Sequence, residues 1–230
     1  RVSEPFRQPI DASTRYCAVF GHPIRHSASP AMQNAGLAAL GLDWRYLAFE
    51  VQPEHLREAI AGAKRMGFVG LNLTVPHKLL AVEMVDGLDE SARIWGAVNT
   101  IRFEPDRGGI IRAHGFNTDA EAITRSLRED LGVELRGAKV LLLGAGGAGR
   151  VAALKLAADG VGELHLINRT QAKAAALADE IRTRSPDVKV NVGYPRAEVD
   201  LVLNATSLGL KAEDALPFAA EKFSFLQTRA

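Results

Sequence analysis

Three glycines at the end of an apolar run have the spacing of a phosphate-binding turn. The run Lys139–Leu143 leads into Gly144, Gly146 and Gly149, which fit G-x-G-x-x-G, and a helix-like segment follows. The first glycine permits the bend, the second lets backbone approach a pyrophosphate, and the third lets helix and strand pack closely. Free N–H groups at the helix start would bind the phosphates. We therefore predict a dinucleotide site built from Gly144, Ala145, Gly146, Gly147 and Ala148.

The residues after the next apolar run favour NADP. The run Glu163–Ile167 lies at the distance that a strand–helix–strand unit requires. In NAD-binding units this strand ends in an acid that binds the ribose 2′-hydroxyl. Here the chain has Asn168, Arg169 and Thr170, with Lys173 one turn further on. A guanidinium can pair with a 2′-phosphate and no carboxylate repels it, so we predict NADP. An ordinary glycine turn beside a solvated arginine is the alternative.

A nicotinamide enzyme that reduces a carbonyl needs a proton donor, and Lys78 is a candidate. Hydride delivery leaves an alkoxide that must be protonated. Lys78 follows a predicted strand and lies in the first turn of a predicted helix, where the dipole disfavours a positive charge. Asp119 is the complementary acid, because a carboxylate beside Lys78 would hold the ammonium and tune its pKa. A solvated lysine and an acid that merely opens a helix are the alternatives.

Polar residues in the first half of the chain are candidate substrate contacts. Ser27 and Ser29 stand before a predicted helix, where hydroxyls and the helix N-terminus could bind a carboxylate. Helix N-capping by Ser29 is the alternative. Asn72, Thr74 and Asn99 lie within or beside apolar strands, and burying them demands partners. Either a hydroxylated ligand or main-chain neighbours would supply those partners.

Alternating strands and helices must position these residues. In the first half the patterns predict strands at 16–20, 44–51, 70–75, 97–103 and 109–113, the last two as a possible hairpin, and helices at 30–40, 53–66, 77–84 and 89–95. A capping box opens a bridging helix at 118–131. In the second half the patterns predict strands at 139–143, 163–167, 189–192 and 200–204, and helices at 150–158 and 171–183. The loops 21–29 and 205–209 follow strands, where α/β sheets bind ligands.

These elements predict two α/β domains with a cleft between them. Residues 1–117 would form a substrate-binding catalytic domain, after a loose leader at 1–13, and residues 118–230 a Rossmann-type, doubly wound NADP-binding domain. The chain has 230 residues, 47% of them hydrophobic, and a formal net charge of +1. Its dispersed basic residues give no indication of nucleic-acid binding.

Composition also bears on location and on metals. No apolar run approaches the roughly 20 residues that span a bilayer, and no signal peptide is recognisable, so we expect no membrane association and a cytoplasmic location. The single cysteine, Cys17, permits no internal disulfide and suits core packing. Six histidines lack the spacing of a known metal site, so no metal is expected.

The ordered motifs resemble the shikimate dehydrogenase family. From about residue 16 to the end they are GHPIRHSASP (21–30), NLTVPHK (72–78), GAVNT (96–100), GFNTD (115–119), GAGGA (144–148), NRT (168–170) and NATSLG (204–209). The resemblance implies NADP-linked, reversible reduction of 3-dehydroshikimate to shikimate, in the pathway to chorismate and the aromatic amino acids.

The resemblance also implies roles for individual positions. Lys78 and Asp119 match the family's catalytic pair, with Lys78 as the acid/base. Ser27, Ser29, Thr74 and Asn99 match contacts to the substrate, and Asn72 lies in the same motif. Glu90 corresponds to a position linked with the cofactor. The adenosine-phosphate clamp would comprise Asn168, Arg169, Thr170 and Lys173. Independently of the resemblance, Thr206 follows a predicted strand, so we expect it at the carboxyl edge of the sheet, near a nicotinamide.

The resemblance leaves alternatives open. The family normally continues beyond a segment like 223–229 into a tyrosine-containing strand and a closing helix whose glutamine contacts substrate; if Ala230 is the true end, part of the first domain's core would be uncovered. A quinate/shikimate dehydrogenase of broader specificity, or one using NAD, is the nearest rival. A non-catalytic NADP-binding module is the rival of another class. The assembly would be a monomer or a homodimer.

Overall fold

The computed structural model describes residues 9–209 and 213–223. The chain divides into two compact units, Arg1–Thr118 and Asp119–Ala230. The predicted leader lies largely outside the described residues, and so does nearly all of the segment 223–229. Residues 11–14 form a turn in which Asp11 Oδ1 accepts the Ser13 N–H at 2.8 Å. No helix in the described part of the chain is long and apolar enough to cross a bilayer.

The first unit is built on a mixed six-stranded sheet. Its strands are β1 (Arg15–Gly21), β2 (Trp44–Glu50), β3 (Gly70–Leu73), β4 (Gly87–Leu88), β5 (Thr100–Pro105) and β6 (Ile111–Phe116). Its helices are α1 (Ser29–Ala39), α2 (Leu56–Arg65), α3 (His77–Leu80) and α4 (Glu90–Trp95). The strand order is β2-β1-β3-β5-β6-β4. The first three strands are parallel, and β5 pairs antiparallel with β3 and with β6, which confirms the predicted hairpin.

The second unit is a parallel α/β sandwich. Its elements are α5 (Asp119–Glu129), β7 (Lys139–Leu143), α6 (Gly147–Ala158), β8 (Glu163–Ile167), α7 (Gln171–Arg184), β9 (Lys189–Val192) and β10 (Leu201–Asn204). The strand order β10-β7-β8-β9 is that of half a Rossmann fold, so the predicted fold class is confirmed. Strand β7 is apolar and buried from Val140 to Leu143, as a central parallel strand requires.

Several predicted bounds were wrong. The helix expected at 53–66 begins with a 3₁₀ turn, Pro53–His55, before α2 starts. The helix expected at 77–84 is a single α-turn followed by a second 3₁₀ turn, Ala81–Glu83. The strand expected at 70–75 ends at Leu73, because Pro76 carries no N–H for a ladder and the chain turns there. Strand β4 was not predicted, since two residues are too few for a periodic pattern.

One edge of the first sheet is closed by a side chain. Strand β2 forms this edge, and Asn34 of α1 reaches its backbone. The Asn34 amide accepts the Tyr46 N–H and donates to the Tyr46 carbonyl, both at 2.8 Å. This paired contact imitates a neighbouring strand, so it satisfies the middle of an edge that would otherwise be open for pairing.

We predict that Asn34→Ala lowers the free energy of unfolding by about 1–3 kcal/mol, because two backbone groups lose their partners. Urea denaturation measures this loss. Gln33→Ala on the same helix is the control and should be close to neutral. Equal stability of the two variants would show that the Asn34 bridge contributes nothing.

Candidate active site

In the first unit two loops meet at the carboxyl ends of β1 and β3. These parallel strands are neighbours, and the chain leaves β1 toward β2 on one side while β3 lies on the other side of β1, which makes this a switch point of the sheet. The His22 N–H donates to the Val75 carbonyl at 2.9 Å, so the loops lie against each other. A Cβ on Gly21 would lie 2.5 Å from Thr74 Cγ2. Glycine at 21 therefore permits the close approach.

The structure overturns the alternative explanation for Ser29. Helix α1 begins at Ser29, and its N-cap residue is Ala28, whose side chain makes no capping hydrogen bond. Instead the Ser27 hydroxyl accepts the Ser29 N–H at 3.3 Å. Within the described chain the Thr74 hydroxyl makes no hydrogen bond, although its backbone N–H binds Phe20 O at 3.0 Å. Ser27 and Thr74 thus lie on the two adjoining loops, and Ser29 begins α1 directly after the first loop.

The amides of Asn72 and Asn99 are held by protein partners. Asn72 Oδ1 accepts the Tyr46 hydroxyl at 2.7 Å, and its Nδ2 donates to Thr100 Oγ1 at 3.0 Å. Asn99, only 7% exposed, accepts the Thr118 N–H at 3.1 Å and donates to the Thr118 hydroxyl at 2.9 Å. Side chains supply most of these partners, so neither amide depends on a ligand for its hydrogen bonds. Tyr46 and Thr100 carried no pattern that sequence reasoning singled out.

Lys78 is half-buried at the end of the β3 loop. Its helix is one α-turn long, so the dipole argument from sequence was wrong in its premise. The Lys78 carbonyl accepts the Val98 N–H at 2.8 Å, which ties this turn to the segment before β5. The neighbouring His77 is fully buried, and burial lowers its pKa, so it is neutral. The imidazole of His77 therefore adds no charge beside Lys78.

Two predicted acids open helices. Asp119 is the first residue of α5 and of the second unit, and the side chain of the preceding Thr118 is bound by Asn99. Glu90 is exposed in the first turn of α4, whose N-cap Asp89 accepts the Ala92 N–H at 2.8 Å. The pairing of Asp119 with Lys78 and the cofactor role of Glu90 stay predictions.

In the second unit the three glycines each meet a different requirement. Gly144 has φ +104°, and a Cβ there would lie 2.8 Å from the Ala205 carbonyl oxygen. A Cβ on Gly149 would collide with the Gly144 carbonyl. Around Gly146, in contrast, no atom lies within 4 Å of a built Cβ. The second glycine thus borders open space at the N-terminus of α6, which no side chain caps, as a phosphate site requires.

Asn168 connects the glycine turn to the proposed adenosine-phosphate clamp. Its Oδ1 accepts the Ala145 N–H and its Nδ2 donates to the Thr170 carbonyl, both at 2.9 Å. The side chain therefore positions the two segments relative to each other. Arg169 and Lys173 are exposed, and neither forms an ion pair within the described residues. The end of β8 is therefore followed by two positively charged side chains that have no ion-pair partner among the described residues.

The loop after β10 is closed by Asn204. Its Oδ1 accepts both the N–H and the hydroxyl of Thr206, at 3.0 and 2.7 Å, and its Nδ2 donates to Leu208 O at 2.9 Å. Strands β7 and β10 are neighbours, so Thr206 lies beside the glycine turn at the switch point of the second sheet. A polar residue that ends an apolar strand was the available signal for Asn204. Across residues 9–209 and 213–223, no cluster of His, Cys, Asp or Glu could hold a metal ion.

These observations define a two-unit α/β protein with a dinucleotide-type site in its second unit. The family model described as "Shikimate dehydrogenase substrate binding domain" matches residues 19–101, and the model "Shikimate / quinate 5-dehydrogenase" matches residues 126–209. The shikimate dehydrogenase (NADP⁺) of Methanopyrus kandleri is 43% identical over 215 residues, which are 90% of this chain and 72% of that protein. The chain belongs to the shikimate dehydrogenase family, so the resemblance is confirmed.

Solved structures of this family are similar to the chain. The shikimate 5-dehydrogenase of Thermus thermophilus, in complex with NADP(H) and shikimate, has a TM-score of 0.75 and 38% identity, covering 91% of this chain and 75% of that one. The quinate dehydrogenase of Corynebacterium glutamicum, in complex with NAD, has a TM-score of 0.75 and 29% identity, covering 92% and 77%.

Two alanine substitutions in the glycine turn should separate folding from cofactor binding. Gly149→Ala should lower the free energy of unfolding by about 1–3 kcal/mol or more, because its Cβ meets backbone. Gly146→Ala should unfold like the parent protein, since its Cβ meets nothing, but should lose stabilisation by NADP because the methyl occupies the space for phosphate. Thermal unfolding with and without NADP measures both effects. Undiminished NADP stabilisation of Gly146→Ala would contradict this assignment.

Proposed function

We propose that the chain catalyses the reversible, NADP-dependent reduction of 3-dehydroshikimate to shikimate. The proposed reaction rests on the chain's membership of the family, because its relatives are named shikimate dehydrogenase (NADP⁺). Arg169 and Lys173 after β8 are exposed and have no ion-pair partner among the described residues, which supports NADP, because a 2′-phosphate would supply their missing counter-charge.

Each predicted site residue would have a distinct chemical role. NADPH, when bound, supplies a hydride for the C3 carbonyl. Lys78 donates a proton to the oxygen of that carbonyl and recovers one from it in the reverse direction. Asp119 holds the Lys78 ammonium and the reacting hydroxyl. Ser27, Ser29 and Thr74 offer hydroxyls to the substrate carboxylate and hydroxyls.

The first test is absorbance of the reduced nicotinamide during shikimate oxidation at mildly alkaline pH. We expect this absorbance to rise with shikimate and NADP, and to rise little when quinate or NAD replaces either of them. Quinate with NAD is the comparison to run, because the C. glutamicum relative is a quinate dehydrogenase in complex with NAD. A preference for that combination would establish the broader dehydrogenase. If NADP raises the melting temperature but no combination turns over, the protein is a non-catalytic NADP-binding module.

Removing the proton donor should abolish the chemistry and spare cofactor binding. We expect Lys78→Ala to lower kcat by about 100-fold or more, in the range of general acid catalysis, with unchanged thermal stabilisation by NADP. Lys64→Ala is the control, since that lysine pairs with Asp86 at 3.0 Å in the same unit. Near-parental turnover by Lys78→Ala would rule it out as the acid.

Removing the clamp cations should reduce selectivity for NADP. We expect Arg169→Ala to raise KM for NADP by about tenfold or more, because a charge-assisted hydrogen bond to phosphate is lost, and to leave KM for NAD unchanged. Arg125→Ala on α5, where Arg125 pairs with Glu129 at 2.9 Å, controls for the loss of a surface charge. Equal changes for both cofactors would contradict a contact to the 2′-phosphate.

We further propose that the enzyme works in the cytoplasm on small molecules, as a monomer or a homodimer. Light scattering of the purified chain distinguishes these two states.

A further inference from the structure

A continuous chain of side-chain hydrogen bonds crosses the first unit. The Tyr46 hydroxyl donates to Asn72 Oδ1 at 2.7 Å, and Asn72 Nδ2 donates to Thr100 Oγ1 at 3.0 Å. The Thr100 hydroxyl donates to Asn99 Oδ1 at 3.1 Å, and Asn99 Nδ2 donates to Thr118 Oγ1 at 2.9 Å. We call these five residues the Tyr46–Thr118 chain. It begins on the edge strand β2 and ends one residue before Asp119.

The backbone determines the direction of every bond in the chain. The Asn99 carbonyl can only accept, so the Asn72 amino group at 3.4 Å must face it. The Thr118 N–H can only donate, so Asn99 Oδ1 at 3.1 Å must face it. Thr100 must then accept from Asn72 and donate to Asn99. Because Asn72 presents its oxygen to Tyr46, the tyrosine must be a donor.

Tyr46 is suited to anchor the chain. It is 4% exposed, and its ring packs in a small cluster with Val19 and Ile24. Asn34 holds its backbone N–H and carbonyl at 2.8 Å. Burial raises the pKa of the Tyr46 hydroxyl, so the group stays protonated at the pH of any ordinary assay. The hydroxyl is therefore a fixed donor.

We propose that Tyr46 and Thr100 are positioning residues that set the amide orientations of Asn72 and Asn99 for substrate binding. This inference rests on the proposed function. It has a consequence for specificity, because both amino hydrogens of Asn72 are committed, to Thr100 and to the Asn99 carbonyl. Only the second lone pair of Asn72 Oδ1 remains, so Asn72 can bind a hydroxyl donor of the substrate and cannot donate to a carbonyl.

The test compares KM for shikimate among hydroxyl-deletion variants. Tyr46→Phe removes the first donor, and we expect KM for shikimate to rise about threefold to tenfold, the equivalent of one net hydrogen bond. Thr100→Val breaks two links and should raise it at least about tenfold. Thr100→Ser keeps the hydroxyl and should restore KM to within about twofold of the parent value. KM for NADP should not change, because none of these residues is among the predicted cofactor contacts.

A matched tyrosine serves as the control. The Tyr16 hydroxyl on the neighbouring strand β1 donates to the Met66 carbonyl at 2.5 Å, outside the chain of side-chain bonds. Tyr16→Phe should leave KM for shikimate unchanged. If Tyr46→Phe and Thr100→Val also leave it unchanged, or if Thr100→Ser fails to restore it, the inference is overturned.

The experiment separates this inference from the proposed function. If the parent protein turns over shikimate and the variants bind it normally, the reaction stands and the positioning role fails. If the parent protein binds shikimate without turnover, the reaction fails, and calorimetric dissociation constants replace KM in the same comparison. If the parent protein does not bind shikimate at all, both fail.

Discussion

The geometry of both units depends on one constraint of parallel sheets, the point at which the strand order reverses. Neighbouring parallel strands whose connections leave in opposite directions create a crevice at their carboxyl ends. In the first unit this point lies between β1 and β3, and in the second between β7 and β10. The adjoining loops carry Ser27, Thr74 and Lys78 in one case and the glycine turn with Thr206 in the other. Backbone topology thus brings together residues that are distant in the sequence.

Asparagine side chains hold backbone segments of both units in place. Asn168 ties the glycine turn to the clamp, Asn204 closes the loop that carries Thr206, and Asn34 supports the edge strand. An amide offers donors and an acceptor in fixed directions, so it can replace two backbone bonds at once where a ladder ends. Each such contact stabilises the fold modestly, by about 1 kcal/mol, yet it fixes loop positions within hydrogen-bond tolerance. Positioning and stability therefore share the same residues.

Sequence reasoning failed mainly where an element's end depended on its neighbours. The helix around Lys78 was expected to run from residue 77 to residue 84, but it ends at Leu80 and a 3₁₀ turn follows. Ser29 was weighed as an N-cap, but its backbone is already helical and Ala28 precedes the helix. Asn168 was assigned to the cofactor, and the structure adds that its amide binds the backbone of Ala145 and Thr170. Local composition does not determine which partner a polar side chain meets.

The sequence by itself determined the alternation of strands and helices, the dinucleotide unit and the family, and its charge after β8 predicts NADP, because glycine spacing, apolar runs and charged residues are local and chemically specific. Only the tertiary structure decided how the polar residues share their hydrogen bonds. Tyr46 lies on the edge strand and Thr118 directly before α5, and nothing in the sequence connects them. Folding brings them into one chain through Asn72, Thr100 and Asn99, because the sheet of β2, β3 and β5 places each donor within 3.1 Å of the next acceptor.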